Sequence, residues 1–186
     1  MFSEILNING LSYQKIYSRA QIMKRIRDIA LEIKADYQHR REPPILLIVL
    51  TGGLYFGKDL SEALDKIGFR HHVDTIGLKR FSKDGSGGEV QVLSQPHANL
   101  SGRDIIVLED IIDEGITMNY LDRLLRIMPT PPANINYAAL LLRQKHGSLD
   151  FNVSYQGFSV GPGWVIGYGM DSDQAYRGLS DIYIKI

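Results

Sequence analysis

Between Ser18 and Tyr37 apolar residues recur at Ile22, Ile26, Ile29, Ala30 and Ile33, with basic and acidic residues between them. That spacing predicts an amphipathic helix, and Ser18 is placed to cap it. The polar linker QHRREPP ends in Pro43 and Pro44 and introduces an apolar run, Ile45 to Leu50, of the kind that forms a buried strand. Thr51-Gly52-Gly53 follows, then a helix from about Tyr55 to Lys66. His72 to Lys79 and Glu89 to Leu93 read as strands flanking the loop SKDGSGG. Ile105 to Leu108 is a short β-branched run suited to a buried parallel strand, and Met118 to Met128 carries Leu121, Leu124, Leu125 and Met128 at helical spacing. Further strands are expected at Ile135 to Leu142, Tyr155 to Phe158 and Val165 to Gly167. There is no internal repeat, and PTPPAN, Pro129 to Asn134, reads as a connection between elements. Strands alternating with helices predict an α/β fold whose mainly parallel twisted sheet is flanked by helices.

Composition narrows the class. The 186 residues fit one domain with a sizeable core, and 44% hydrophobic with 23% charged residues is ordinary for a soluble globule. Lysine plus arginine equals aspartate plus glutamate, 21 each, so the chain lacks the net basic field of non-specific nucleic-acid binding, and no nucleic-acid partner is expected. Zero cysteines exclude disulfides and thiolate metal sites and leave the redox compartment undetermined. MFSEILNING lacks the basic end and apolar core of a secretory signal, and no apolar run approaches the ~20 residues that span a membrane. A cytoplasmic location with no membrane partner is expected.

The densest chemistry lies in IIVLEDIIDEGITM, Ile105 to Met118. A strand here ends in two acids and passes through Asp113-x-Gly115-x-Thr117 into a helix. In open α/β sheets ligands collect beyond the carboxyl ends of strands, and the free N–H groups of the following helix attract an anion such as phosphate. Gly115 lets the backbone approach that anion, Thr117 offers a hydroxyl and an amide, and Glu109 and Asp110 suit the paired hydroxyls of a ribose. One loop would hold both ends of a ribose 5-phosphate. A generic strand-loop-helix with merely solvated acids would share part of this pattern.

This segment closely resembles the phosphoribosyl-pyrophosphate (PRPP) signature of the type I phosphoribosyltransferases: hydrophobic residues, two acids, two hydrophobics, Asp, a variable residue, Gly, a variable residue and Thr. The resemblance runs from about Arg19 to the C-terminus and implies the family's fold, with a core at about 19–160 and a small hood from about 1–18 and 161–186. It implies that Glu109, Asp110, Asp113, Glu114, Gly115, Ile116 and Thr117 bind ribose phosphate. Leu50-Thr51-Gly52-Gly53 is similar to the pyrophosphate loop of the hypoxanthine-guanine enzymes, where Leu-Lys-Gly-Gly is common and the first bond can be cis; here Thr51 replaces the lysine. A tight strand-to-helix turn would need the same glycines.

A third segment, WVIGYGMDSDQAYRGL from Trp164 to Leu179, resembles the purine-site segment of the 6-oxopurine transferases and points to that subfamily. The resemblance implies that Trp164 stacks on a purine, that Val165 offers backbone groups to its edge, that Asp171 holds a metal ion shared with pyrophosphate, and that Arg177 contacts pyrophosphate oxygens. The guanidinium fork suits such oxygens and never loses its charge. The family also places a lysine for the 6-oxo group at the end of the strand Ala138 to Leu142. Counting without gaps lands on Arg143, while Lys145 lies two residues on, and either would disfavour adenine. Lys79 to Glu89 corresponds to a loop that closes over the family's site, usually with a Ser-Tyr pair from which Arg80-Phe81-Ser82 departs.

The resemblance therefore implies an enzyme of purine salvage that uses PRPP and magnesium, takes hypoxanthine or guanine, releases pyrophosphate, and assembles as a homodimer or homotetramer. The resemblance implies that Asp113 is the general base at purine N7, the alternative being that it only orders the phosphate loop through its own amide hydrogen bonds; magnesium would be held mainly by pyrophosphate, ribose oxygens and water, with Asp171, Glu109 and Asp110 as the protein carboxylates nearest it. Glu114 stands where the family more often has Thr or Ser, and its side chain should point away from the phosphate. Two rivals stay open: a PRPP-sensing regulator that binds nucleic acid, opposed by the charge balance and by the lack of N-terminal length for a DNA-binding domain, and a transferase preferring xanthine or a pyrimidine.

Overall fold

The computed structural model describes residues 4–81, 89–143 and 149–186. The elements run β1 (Ile5–Ile8), β2 (Leu11–Tyr17), α1 (Arg19–Tyr37), β3 (Ile45–Leu50), α2 (Leu54–Lys66), β4 (His72–Phe81), β5 (Glu89–Ser94), β6 (Asp104–Ile112), α3 (Ile116–Arg126), β7 (Asn134–Arg143), β8 (Val153–Val160), β9 (Val165–Ile166) and β10 (Ile182–Lys185). Ser18 caps α1 as its spacing predicted, in a reciprocal capping box with Gln21. Pro43 and Pro44 precede β3, whose residues Ile45 to Val49 are buried on both faces.

Six strands form one sheet in the order β5-β4-β3-β6-β7-β8, all neighbours parallel except the β4–β5 pair. Helices cover both faces, as a parallel sheet requires. On one face α1 and α2 bury Ile22, Ile26, Ile29, Phe56 and Leu60 against Leu46, Ile48, Ile106 and Leu108. On the other, Met118, Leu121 and Leu125 of α3 meet Leu47, Val107 and Ala139. Truncating any of the fully buried leucines to alanine is expected to cost ~2–5 kcal/mol. The α3 helix is also pinned by a polar contact, because the Tyr137 hydroxyl donates to buried Asp122 at 2.6 Å. Burial together with that carboxylate pushes the Tyr137 phenol well above its usual range, so it stays a donor.

Most elements differ from the sequence reading by one or two residues at an end, and two differences bear on the site. The strand expected to stop at Leu108 continues to Ile112, and the helix expected over Met118 to Met128 spans Ile116 to Arg126. The strand carries its acids inside because β7 continues alongside it, pairing Glu109 with Ala139 and Ile112 with Leu142. The helix starts early because Gly115, at φ 76°, makes the turn directly.

A second, antiparallel sheet, β1-β2-β10-β9, joins strands from both ends of the chain. Its hairpin turns at Asn9-Gly10, both at positive φ, which is the dipeptide signal for a two-residue turn. Buried Tyr13, Ile166 and Tyr183 form its core. It docks through Val165, Met170 and Ile182, which join the core under α1 and α2, and through charge. Asp59 of α2 accepts from Tyr168 at 2.6 Å and pairs with Arg19 at 2.8 Å, while Asp181 accepts from the Arg19 amide at 2.7 Å and pairs with Lys15 at 2.8 Å. Burial alone would raise the Asp59 pKa, but hydrogen bonds from Tyr168, Lys58 and Arg19 hold it below the usual range. The two sheets therefore meet across a satisfied ionic seam.

Candidate active site

Two adjoining hollows open at the carboxyl ends of the parallel strands. The first, about 240 Å³, is lined by Arg80, Glu109 to Met118 and nothing else among the described residues. The second, about 300 Å³, is lined by Gly52, Asp110, Ile111, Asp113, Arg143, Trp164, Val165, Met170, Asp171 and Arg177. Asp110, Ile111 and Asp113 belong to both.

Apart from Arg80, the first hollow is one continuous stretch of chain. Helix α3 opens at Gly115, which has no side chain to cap it, and the residues of its first turn line this hollow, the place where helix amides meet an anion. Gly115 is buried, and a Cβ there would strike Leu149. Thr117 is half-buried at the rim, and Ile116 is exposed. Glu109 and Asp110 lie below, 8% and 7% exposed. Burial, and then the neighbouring Asp110 charge, push the Glu109 pKa well above its ordinary 4.5; burial also raises Asp110, against the opposing pull of Glu109, the Ile111 amide and Arg177. Two adjacent carboxyls in a dry site resist a second negative charge until a cation or ribose hydroxyls arrive. The Glu114 side chain is partly exposed at the edge of this hollow, and its Oε2 lies 3.2 Å from Nη1 of Arg80.

The second hollow gathers distant segments. The Leu50–Thr51 peptide bond is cis. Gly52 faces the cleft directly beneath Asp110, where a Cβ would overlap the carboxylate, whereas Gly53 is wedged against the carbonyls of Val49 and Leu108. Thr51 is exposed beside the cleft. From the hood, Gly169 rests on the carbonyl of Gly52, and the Arg177 guanidinium donates to the Gly169 carbonyl and pairs with Asp171 at 2.6 Å. Trp164 is 57% exposed, yet its Nε1 donates to the Asp171 carbonyl at 3.0 Å. The indole is thus a fixed wall rather than a core residue, and buried Val165 lies beside it.

Arg143, at the end of β7, is 9% exposed. Its Nη1 donates to the Gly161 carbonyl and its Nη2 to that of Gly163 at 2.9 Å. Its Nε lies 3.1 Å from Asp113 Oδ1 but off the direction of a hydrogen bond, which leaves a buried donor unsatisfied at the cleft. Lys145, and the loop Ser82 to Gly88 of the lid segment, lie outside the described residues.

Of the sequence-predicted residues, Glu109, Asp110, Asp113, Glu114, Gly115, Ile116 and Thr117 share the first hollow, and Gly52, Arg143, Trp164, Val165, Asp171 and Arg177 share the second. Arg80, Ile111, Ile112, Met118 and Met170 were missed as lining residues. All but Arg80 sit inside the recognised segments, where their place next to the signature residues was the available signal. Glu109, Asp110 and Asp171 do not form one ligand set; among the described residues no three His, Asp or Glu side chains cluster to hold an ion.

The comparisons agree with this geometry. The phosphoribosyl transferase domain model matches residues 12–173. The chain belongs to the phosphoribosyltransferase family. Within it the relatives are hypoxanthine-guanine enzymes: the hypoxanthine-guanine-xanthine phosphoribosyltransferase of Tritrichomonas foetus is 34% identical over 91% of this chain and 89% of its own. The hypoxanthine-guanine phosphoribosyltransferase of Bacillus subtilis (strain 168) is 30% identical over 88% of each. Among solved structures, the hypoxanthine phosphoribosyltransferase of Trypanosoma cruzi in complex with the product IMP superposes with a TM-score of 0.84, at 26% identity over 97% of both chains.

Proposed function

We propose that this phosphoribosyltransferase transfers the phosphoribosyl group of PRPP to hypoxanthine or guanine, giving IMP or GMP and pyrophosphate. The observation that carries this reading is the position of Asp113, on the border between an anion pocket at a helix N-terminus and a cleft walled by Trp164. A sugar phosphate in the first and a purine in the second would bring the anomeric carbon and a ring nitrogen together beside that carboxylate.

The amides at Gly115 to Thr117 bind the 5′-phosphate, and Glu109 and Asp110 accept from the ribose hydroxyls. Trp164 stacks on the base and the Val165 backbone meets its edge. Arg143 has donors left over from its two carbonyl contacts and supplies one to the 6-oxo group, which a purine with a 6-amino group would repel. A bond forms from the ring nitrogen to the anomeric carbon as the bond to pyrophosphate oxygen breaks, and Asp113 takes the purine proton. The amide of Gly52 and the Arg177 guanidinium receive the pyrophosphate. Magnesium, when bound, neutralises that leaving group; Asp171 and Asp110, both facing the cleft, would hold it, and the few carboxylates there suit an ion that keeps most of its water. A cytoplasmic homodimer or homotetramer completes this reading, supported by the family resemblance.

The test is a spectrophotometric assay with PRPP and magnesium, offering hypoxanthine, guanine, xanthine and adenine separately. Turnover of the first two and not of adenine is expected. Tight PRPP binding with no turnover of any base would overturn the enzymatic reading.

A further inference from the structure

Arg80 and Glu114 each stand where the family resemblance leads one to expect a different residue, and the fold puts the two side by side. Strand β4 outruns β3, whose last residue, Leu50, pairs with Gly77; from Leu78 to Phe81 the strand pairs with β5 alone. The β4–β5 ribbon therefore rises above the sheet beside the site. Ile76 and Leu78 pack on the α3 side of the sheet, and alternation along a strand sends Arg80 to that same side. Its guanidinium crosses the open end of β3 to reach Glu114, one residue before the glycine that opens α3. There it borders the same hollow as Gly115, Ile116 and Thr117.

The charges make this arrangement exchangeable. The side chains are 36% and 48% exposed, and ion pairs this open to water hold weakly. A phosphate monoester carries nearly two negative charges and offers a guanidinium fork two oxygens at once. We infer that Arg80 is a further ligand for the 5′-phosphate of the phosphoribosyl donor, held beside the phosphate pocket by Glu114 and handed to the phosphate when it enters. Glu114 is thus a competitor for Arg80 as well as a charge near the anion. This inference rests on the phosphoribosyltransferase reading above and adds a cation to the phosphate site from a strand outside the signature.

The experiment is calorimetric titration of the full chain with PRPP and magnesium, with IMP, which carries the 5′-phosphate alone, and with pyrophosphate. Arg80→Gln should weaken PRPP and IMP by about 10- to 150-fold, the range of a charged hydrogen bond, while Arg80→Lys recovers part of the loss. Glu114→Gln should tighten both ligands by about 3- to 10-fold in the native background and by less than twofold when Arg80 is already Gln. Equal IMP affinity in Arg80→Gln and the native protein would overturn the inference. So would equal tightening by Glu114→Gln in both backgrounds, since Glu114 would then act by repulsion alone, and so would a loss confined to pyrophosphate. Failure of the native protein to bind either PRPP or IMP would overturn the transferase reading together with this one.

Discussion

The two halves of the site are built in opposite ways. The proposed phosphate pocket is nearly one uninterrupted segment, Glu109 to Met118, with Arg80 added from β4. The proposed purine cleft draws on four separated stretches, around Gly52, Asp110, Arg143 and Trp164 to Arg177. A local strand-loop-helix needs only its own backbone geometry to present amides to an anion. The cleft depends on the packing of the second sheet against the first, through Val165, Met170 and Ile182 in the shared apolar core and through the polar contacts of Asp59, Tyr168, Arg19 and Asp181. Damage to the hood should therefore loosen the base site while leaving the phosphate site standing.

Asp113 belongs to both halves, so its loss should be the largest effect. Asp113→Asn keeps the shape and removes the proton acceptor; kcat should fall by ~100- to 10,000-fold with PRPP affinity little changed. Comparable kcat in steady-state assays would place the proton elsewhere. Trp164→Ala separates the halves: the KM for hypoxanthine should rise by ~5- to 150-fold, the span of ~1–3 kcal/mol of stacking, with the KM for PRPP nearly constant. A matched rise in both constants would mean that the hood supports the whole site.

The smallest effect is the most diagnostic of the phosphate half. Glu109 and Asp110 have folded pKa values raised above their ordinary 4.5 and 3.8, so the stability linked to their protonated forms is full below those values and is lost as pH rises through the folded ones. Glu109→Gln removes that loss. Relative to the native protein it should gain ~1 kcal/mol at pH 7–8 and nothing near pH 4, while its PRPP affinity falls. Denaturant melts across pH would show this; an advantage that shrinks with rising pH would contradict the buried-acid account. The same chemistry predicts proton release when PRPP and magnesium bind at a pH below the raised folded pKa values, readable by titration across pH in buffers of different ionisation enthalpy.

Much of this was legible before any coordinates. The periodicity of Ser18 to Tyr37, the buried run Ile45 to Leu50 and the acids-to-glycine signature located the core helix, a central strand and the phosphate loop to within a few residues. The hairpin at Asn9-Gly10 was readable and was overlooked, and the extension of β6 through its acids was not readable, because a strand-ending rule based on polarity misses acids buried for function. Strand β10 is too short to announce itself and forms because β2 and β9 offer it edges.

By itself the sequence determined the chemistry that is local: a strand, two acids, a left-handed glycine and a helix follow one another within fourteen residues, Ile105 to Met118, and short-range geometry does the rest. Only the tertiary structure decided what Arg143 and Arg80 face. Arg143 reaches carbonyls 18 and 20 residues away and Arg80 a carboxylate 34 residues away, and each contact follows from which strands lie adjacent and how far one outruns the next. Those distances are set by the packing of the whole sheet, which leaves no periodic mark on the chain around either arginine.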